Sequence, residues 1–199
     1  MITRKEMTRM LLKEGLLSCL ADNSFESVTV TSLCKASGIT RSTFYLHYSN
    51  IMEIVDDLVD DAIAYSKPGM VDNNNLQTIA NTLSAASNSV SLREAYDSIF
   101  DRLPLCQRII RHKKYLPLFL DEQISEYVLQ RLIQREKARQ GLVMAEALGI
   151  SFDVGVSVFV FLVHGLYAVN KEYKWSQSDQ WLEAQKIIFE LVYRGLQRK

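Results

Sequence analysis

The stretch SGITRSTFYLHYSN, residues 37–50, decides how this chain is read. It sets a glycine and a β-branched residue before Thr40, then groups Arg41, Ser42 and Thr43 ahead of Phe44-Tyr45-Leu46-His47-Tyr48. Gly38 supplies a tight turn, Ile39 plugs a core, and Thr40 caps the helix that follows. Upstream, in VTVTSLCKA (residues 28–36), Thr29 or Thr31 caps a short helix that carries Leu33 and Ala36 inward. Two short helices joined by a glycine turn predict a helix-turn-helix. On the second helix Phe44 and Tyr48 are four apart and share the inward face with Ile39. At about 100° per residue, Ser42, Thr43, Tyr45 and Leu46 point elsewhere.

That outward side is too polar to cover a core, and it is small enough to enter a major groove and bond base edges and phosphates. Arg41 has the fork that donates two bonds to a guanine edge. Ser42 and Thr43 reach base edges or phosphate. Tyr45 and His47 suit contact with the DNA backbone, although an imidazole packed beside the aromatic pair fits His47 equally well. Thr29, Thr31 and Thr40 serve as caps in a way compatible with phosphate contact at the same helix starts.

Around this segment the totals are ordinary. The chain has 199 residues, 48% hydrophobic and 23% charged, with a formal net charge of zero. It is long enough for a substantial core, and a polyanion can be attracted only locally. Residues 1–50 hold six Lys or Arg against four Asp or Glu, a mildly basic balance. Cys19, Cys34 and Cys106 form an odd, sparse set without metal-ligand spacing, which predicts reduced thiols and a cytoplasmic protein. The longest apolar run, Val154 to Val169, is interrupted by Gly155, Ser157, His164 and Gly165, and is read as too short for a membrane span.

Eight glycines and three prolines leave most of the chain free to be helical, and no strand alternation stands out, so the predicted fold is all-α. Leu11, Leu12, Leu16, Cys19 and Leu20 stripe a first helix. Asn50 caps a fourth, striped by Ile54, Val55, Leu58, Val59 and Ala62. The break KPGMVDNNN, residues 67–75, is the best boundary. The expected layout is a helix-turn-helix unit over 1–50, a connecting helix over 51–66 and a larger helical region over 67–199. Within the last, one helix is expected from Leu118 to Gln140, stopping before Gly141, then Phe152 to Tyr173 and Asp179 to Arg198. The acids Glu53, Asp56, Asp57 and Asp60 fit a solvated helix face better than a divalent-metal site. Arg108, Arg111, His112, Lys113 and Lys114 fit a solvated helix end better than an anion site. His47, His112 and His164 belong to no catalytic motif, and no phosphate loop, GxSxG elbow or HExxH is present. No enzymatic activity, metal or cofactor is expected.

Residues 29–50, TVTSLCKASGITRSTFYLHYSN, resemble the signature of the tetracycline-repressor family of bacterial transcription regulators. The resemblance rests on Thr29-Val30, Leu33, Ala36, Gly38-Ile39, Thr43-Phe44-Tyr45 and His47-Tyr48, with the leading helix from Thr3 to Ala21 and the aromatic Phe25 also fitting. It covers about the first quarter of the chain; the rest fits in length and helix pattern. It implies a homodimer with a three-helix DNA-binding unit, binding a double-stranded operator, and a larger effector-binding and dimerisation domain. It further implies a repressor released by a small apolar or amphipathic ligand, with no membrane partner. There are two departures. Ile51 stands where similar proteins carry a phosphate-touching lysine, and Ser24 replaces a glycine, which leaves Asn23 to take a left-handed backbone position. The first, together with the acidic fourth helix, motivates an alternative, a sensing or protein-interaction module of the same fold with weak or lost DNA binding.

The aromatic group Tyr96, Phe100, Leu103, Tyr115, Phe119, Tyr127, Phe159 and His164 is the candidate effector wall, with core filling as its plainer role. The resemblance makes the last two helices a dimer surface, through Val156, Val160 and Val163 on one and Trp181, Ala184, Ile188 and Leu191 on the other. An internal core is the alternative for the same residues.

Overall fold

Threonine and asparagine caps start the helices of the N-terminal region. Thr3 accepts from the Glu6 amide and Glu6 returns a bond to the Thr3 amide, opening α1 (Arg4–Asp22). Thr29 and Ser32 form the same reciprocal box at α2 (Val30–Ser37). Thr40 Oγ1 accepts from the Thr43 amide at 3.2 Å to start α3 (Arg41–Tyr45). Asn50 Oδ1 accepts from the Glu53 amide at 3.1 Å ahead of α4 (Ile51–Ser66). The computed structural model describes residues 2–66, 75–104, 107–108 and 113–196, and is all-helical, with no strand among them. The break at 67–74 lies outside the described residues. Beyond it follow α5 (Asn75–Ser84), α6 (Ser89–Ser98), α7 (Pro117–Leu120), α8 (Ser125–Leu148), α9 (Phe152–Glu172) and α10 (Asp179–Leu196).

Packing groups the chain into two units, residues 1–65 with 109–134 and residues 66–108 with 135–199. This grouping differs from the linear layout 1–50, 51–66 and 67–199. The reason lies in tertiary contacts of α4. Arg9 and Lys13 of α1 form ion pairs with Asp57 and Asp61. Tyr127 and Arg131 of α8 both bond Asp56, each at 2.7 Å. Leu12, Leu16, Leu33, Phe44, Ile54, Val55 and Leu58 are fully buried in the core of this unit. Gly15 lets α1 approach α2 closely, since a Cβ there would sit 2.9 Å from that of Ser37. Asp121 and Glu26 pin the segment after α1, accepting from the Phe25 amide at 2.6 Å and from Gln123 Nε2 at 2.8 Å.

In the second unit α10 packs on α5 and α6, and Trp181, Leu182 and Phe189 are buried along it. The helix expected to stop at Gln140 instead starts at Ser125, after a break at Asp121, and runs through Gly141 to Leu148. Gly149, at φ +63°, is the actual stop. Gly141 is a packing glycine. A Cβ on it would press on Val156 of α9, and a Cβ on Gly155 would lie 2.8 Å from the Ala145 nitrogen and closer still to the Gly141 carbonyl oxygen. The α8 and α9 backbones therefore meet directly. After α9 two consecutive non-glycine residues, Lys174 and Trp175, hold positive φ values of 50° and 57°, a strained pair. It is held by Trp175, whose amide donates to the Asn170 carbonyl at 2.8 Å and whose ring meets Tyr167 edge-on at 5.3 Å.

Three smaller expectations are corrected. Ala36 is exposed, and Cys34 takes the inward place beside Leu33. Asn23 is extended at φ −140°, so no left-handed residue replaces the missing glycine. The apolar run is not too short for a span: α9 covers 21 residues and is long and apolar enough, by length and composition, to cross a membrane.

Candidate functional site

Gly38 ends α2 in the left-handed conformation, φ +67° and ψ 22°, with its amide bonded to the last turn. Nothing lies within 4 Å of where its Cβ would be, so backbone geometry and not crowding favours glycine. The turn delivers Thr40, and the cap at Thr40 starts a helix of five residues. The Tyr48 amide still reaches the Phe44 carbonyl at 3.0 Å, which keeps the two aromatics on one side beyond the helix end. Phe44 is buried, meets Tyr45 edge-on at 5.0 Å and lies 6.3 Å from the Tyr48 ring.

The opposite side is open. Arg41, Ser42, Thr29, Thr31 and Thr40 are exposed, Thr43 is half-buried and Tyr45 is exposed. Leu46, at 81% exposure, shares that side and is the most exposed large apolar residue of the segment. Thr40 Oγ1 also bonds the hydroxyls of Ser42 and Thr43, at 3.0 and 2.9 Å, so the three side chains form one preorganised polar group at the helix start. His47 is half-buried, with Nδ1 inside the fold and no acceptor for it among the described residues. Only its other ring nitrogen can face outward. All eight sequence-identified positions thus sit on one continuous segment of the first unit.

This segment is tied down from behind. Tyr48 Oη donates to Asp57 at 2.5 Å, Arg9 pairs with the same carboxylate, and the Arg9 guanidinium lies 4.8 Å from the centre of the Tyr48 ring. Burial, followed by the bond to Asp57, pushes the Tyr48 phenol far above its ordinary range. Burial likewise raises the Cys34 thiol. The acids of α4, expected to form a solvated face, are therefore mostly positioning groups. Glu53 bonds the Ser49 amide, Asp56 bonds Tyr127 and Arg131, Asp57 bonds Tyr48 and Arg9, and Asp61 pairs with Lys13. Sequence reasoning missed this because Arg9, Lys13, Tyr127 and Arg131 lie 48 to 75 residues away on other helices, and the nearer partners Tyr48 and Ser49 are brought in by the turn between α3 and α4.

The aromatic wall does not assemble in either unit. Tyr115, Phe119 and Tyr127 belong to the first; Tyr96, Phe100, Leu103, Phe159 and His164 belong to the second. Of the basic cluster, Arg108 is buried and donates to the Asp101 carbonyl at 3.4 Å, and Lys114 pairs with Glu14 at 2.5 Å. Cys106, Arg111 and His112 lie outside the described residues.

For the last two helices the internal-core alternative holds in part. Trp181 is 0% exposed, with Nε1 donating to Asn170 Oδ1 at 2.9 Å, and Val163 is buried too. Val156 lies against Gly141. Val160, Ala184 and Ile188 are half-buried. The outward apolar residues are Phe152, Val154 and Phe161 on α9 and Ile187 and Leu191 on α10, with Phe161 73% and Leu191 66% exposed. The expected stripe of α9 is simply its other face. Among the described residues no cluster of His, Cys, Asp or Glu has the makings of a metal site. No family model matches the chain, and neither a curated protein nor a solved structure shows significant similarity to it.

Proposed function

We propose that this chain is a DNA-binding transcription regulator of the tetracycline-repressor type, acting as a homodimer and released from its operator by a small ligand. The observation that carries the reading is the two-sidedness of the segment after Gly38. Phe44 and Tyr48 are buried behind it, while Arg41, Ser42 and Tyr45 are exposed in front on a capped, five-residue helix, with Leu46 exposed just past its end. A helix of that length presents its first turn to a groove, and Arg41 and Ser42 occupy that turn. Arg4, Lys5 and Lys35 are exposed in the same unit and suit phosphates. The reading requires no chemistry beyond binding. A ligand releases DNA by favouring a dimer in which the two α3 helices are wrongly spaced.

The dimer part of the reading is supported by the outward apolar faces of α9 and α10. Phe161, Ile187 and Leu191 are costly to leave in water, and a second copy would cover them symmetrically.

The alternative, a sensing or protein-interaction module without DNA binding, draws on α4. Ile51 offers no charge to a phosphate, and Asp57 and Asp61 occupy Arg9 and Lys13, two of the six cations in residues 1–50. Selection of bound fragments from the source genome, followed by salt titration, separates the two. A regulator enriches a discrete sequence, and its affinity falls with salt. Arg41→Ala and Tyr45→Ala should then weaken operator binding while both proteins stay folded, with Arg41→Ala costing about 1–3 kcal/mol. Failure to enrich any sequence, or unchanged affinity in both variants, overturns the reading.

A further inference from the structure

The exposed segment after Gly38 has polar flanks and an apolar centre. Leu46 lies two residues after Phe44 and two before Tyr48, so at about 100° per residue it points roughly 160° away from each. Its backbone is still helical, at φ −75° and ψ −17°, and its amide donates to the Thr43 carbonyl at 3.2 Å, so the helical spacing holds at this position. Phe44 and Tyr48 are the rings that face the core, at 0% and 3% exposure. Leu46 is therefore the side chain aimed most directly away from it, and it is 81% exposed. Ser42 stands one turn before it on the same side, and the exposed Arg41 and Tyr45 flank it.

The charge around Leu46 selects the kind of surface it meets. Residues 27–52 contain no Asp or Glu, although the chain has 23 of them. Lys35 and Arg41 are exposed cations within that stretch. A face of hydroxyls and cations without a carboxylate complements a polyanion. On the DNA-binding reading proposed above, the flanks of this face meet phosphates and its centre meets the floor of the major groove. That floor is lined by hydrogen-bond donors and acceptors and carries one apolar group, the C5 methyl of thymine. A leucine side chain has no hydrogen bond to offer, so the methyl is the one feature there that it complements.

We infer that Leu46 is a specificity-determining residue that reads a thymine in each operator half-site through its C5 methyl. The contact takes the leucine and the methyl out of water together. A cytosine at the same place would turn its N4 amino donor toward a side chain that cannot accept, and would be penalised for the lost hydration. The inference rests on the DNA-binding reading and adds one base to it, a thymine beside the guanine that suits Arg41. It also gives a role to the one large apolar side chain of the exposed segment that is neither a cap nor a cation.

The experiment starts from a duplex selected by the full-length protein out of a random-sequence pool. Each thymine of the half-site is then replaced in turn by uracil, which keeps the pairing and removes only the methyl. Affinities are measured for the wild type and for Leu46→Ala. At one thymine the wild type is expected to lose roughly threefold to fivefold in affinity, the worth of one buried methyl-sized group. Leu46→Ala should bind the thymine and uracil duplexes equally at that position. Tolerance of uracil at every position by the wild type overturns the inference whatever the variant does. So does a Leu46→Ala protein that still discriminates at the same thymine, or one that loses all binding, since one methyl contact is worth only a few-fold. Failure to select any sequence overturns the DNA-binding reading and this inference with it, whereas a selected sequence indifferent to uracil overturns the role of Leu46 alone.

Discussion

Replacing Gly155 with alanine tests the backbone contact between α8 and α9. The new methyl would stand 2.8 Å from the Ala145 nitrogen and 3.1 Å from the Ala145 Cβ, and closest of all to the Gly141 carbonyl oxygen. Two of these three neighbours are backbone atoms, so no side-chain rotation makes room. The helices must part by roughly 0.5–1 Å at the crossing, a gap that forfeits about a quarter to a half of the dispersion energy of each contact there. Forcing a methyl into a packed interface costs about 1–3 kcal/mol, and alanine in a helix returns about 0.5–1 kcal/mol relative to glycine. The net loss is then about 1–2 kcal/mol, or a Tm lower by roughly 2–8 °C for a chain of this size. Thermal and urea unfolding followed by circular dichroism measure it. Gly165→Ala is the internal comparison, because nothing lies within 4 Å of a Cβ there and the helix propensity gain acts unopposed. A Gly155→Ala protein as stable as wild type, or stabilised as much as Gly165→Ala, would refute the close crossing.

Ile51→Lys is expected to tighten binding to any DNA sequence and to steepen the slope of log affinity against log salt by about 0.9, one added phosphate contact; an unchanged slope places residue 51 away from the phosphates. Phe161→Glu and Leu191→Glu are each expected to convert a dimer to a monomer in sedimentation and to weaken operator binding, because a two-fold interface meets each charge twice. A wild-type protein already monomeric at micromolar concentration refutes the dimer. Alkaline stability should report Tyr48 and Tyr115, whose phenols burial raises above their ordinary value. The folded chain keeps them neutral while the unfolded chain ionises, so stability holds below about pH 10 and falls as pH rises past it. Tyr48→Phe should flatten that fall, and an unchanged alkaline limb in pH-jump melts would contradict it.

Capping made the N-terminal helices legible. Thr3, Thr29, Thr40 and Asn50 each mark a helix start through a local bond that sequence spacing alone specifies, and Gly38 marks its turn for the same reason. Glycine was ambiguous farther on. A helix stop and a close helix crossing both call for a residue without Cβ, and only the neighbour of Gly141, 15 residues away at Val156, separates them. The facing of α9 was hidden because Val154, Val156, Val158, Val160 and Phe161 make it apolar nearly all round, and periodicity then gives no inward direction. The acids of α4 were misread because their cations arrive from α1 and α8, and a charge pattern within one helix carries no trace of that. The eight candidate groove residues, by contrast, lie within nineteen consecutive positions, 29–47, so local signals sufficed to gather them.

Adjacent residues of a helix point about 100° apart, and α4 is gripped through two such neighbours. Asp57 is held by Arg9 and Tyr48 on one flank, Asp56 by Tyr127 and Arg131 on the other. The pair works like two guy ropes on a mast. Rolling α4 about its axis slackens one rope and overstretches the other, so torsion meets resistance in both senses. Sliding α4 along its axis loads both ropes alike, and long side chains such as Arg9 and Arg131 can swing to follow. The helix is thus braced against twist on two flanks, and one brace, through Asp57, ends on Tyr48 at the foot of the exposed segment.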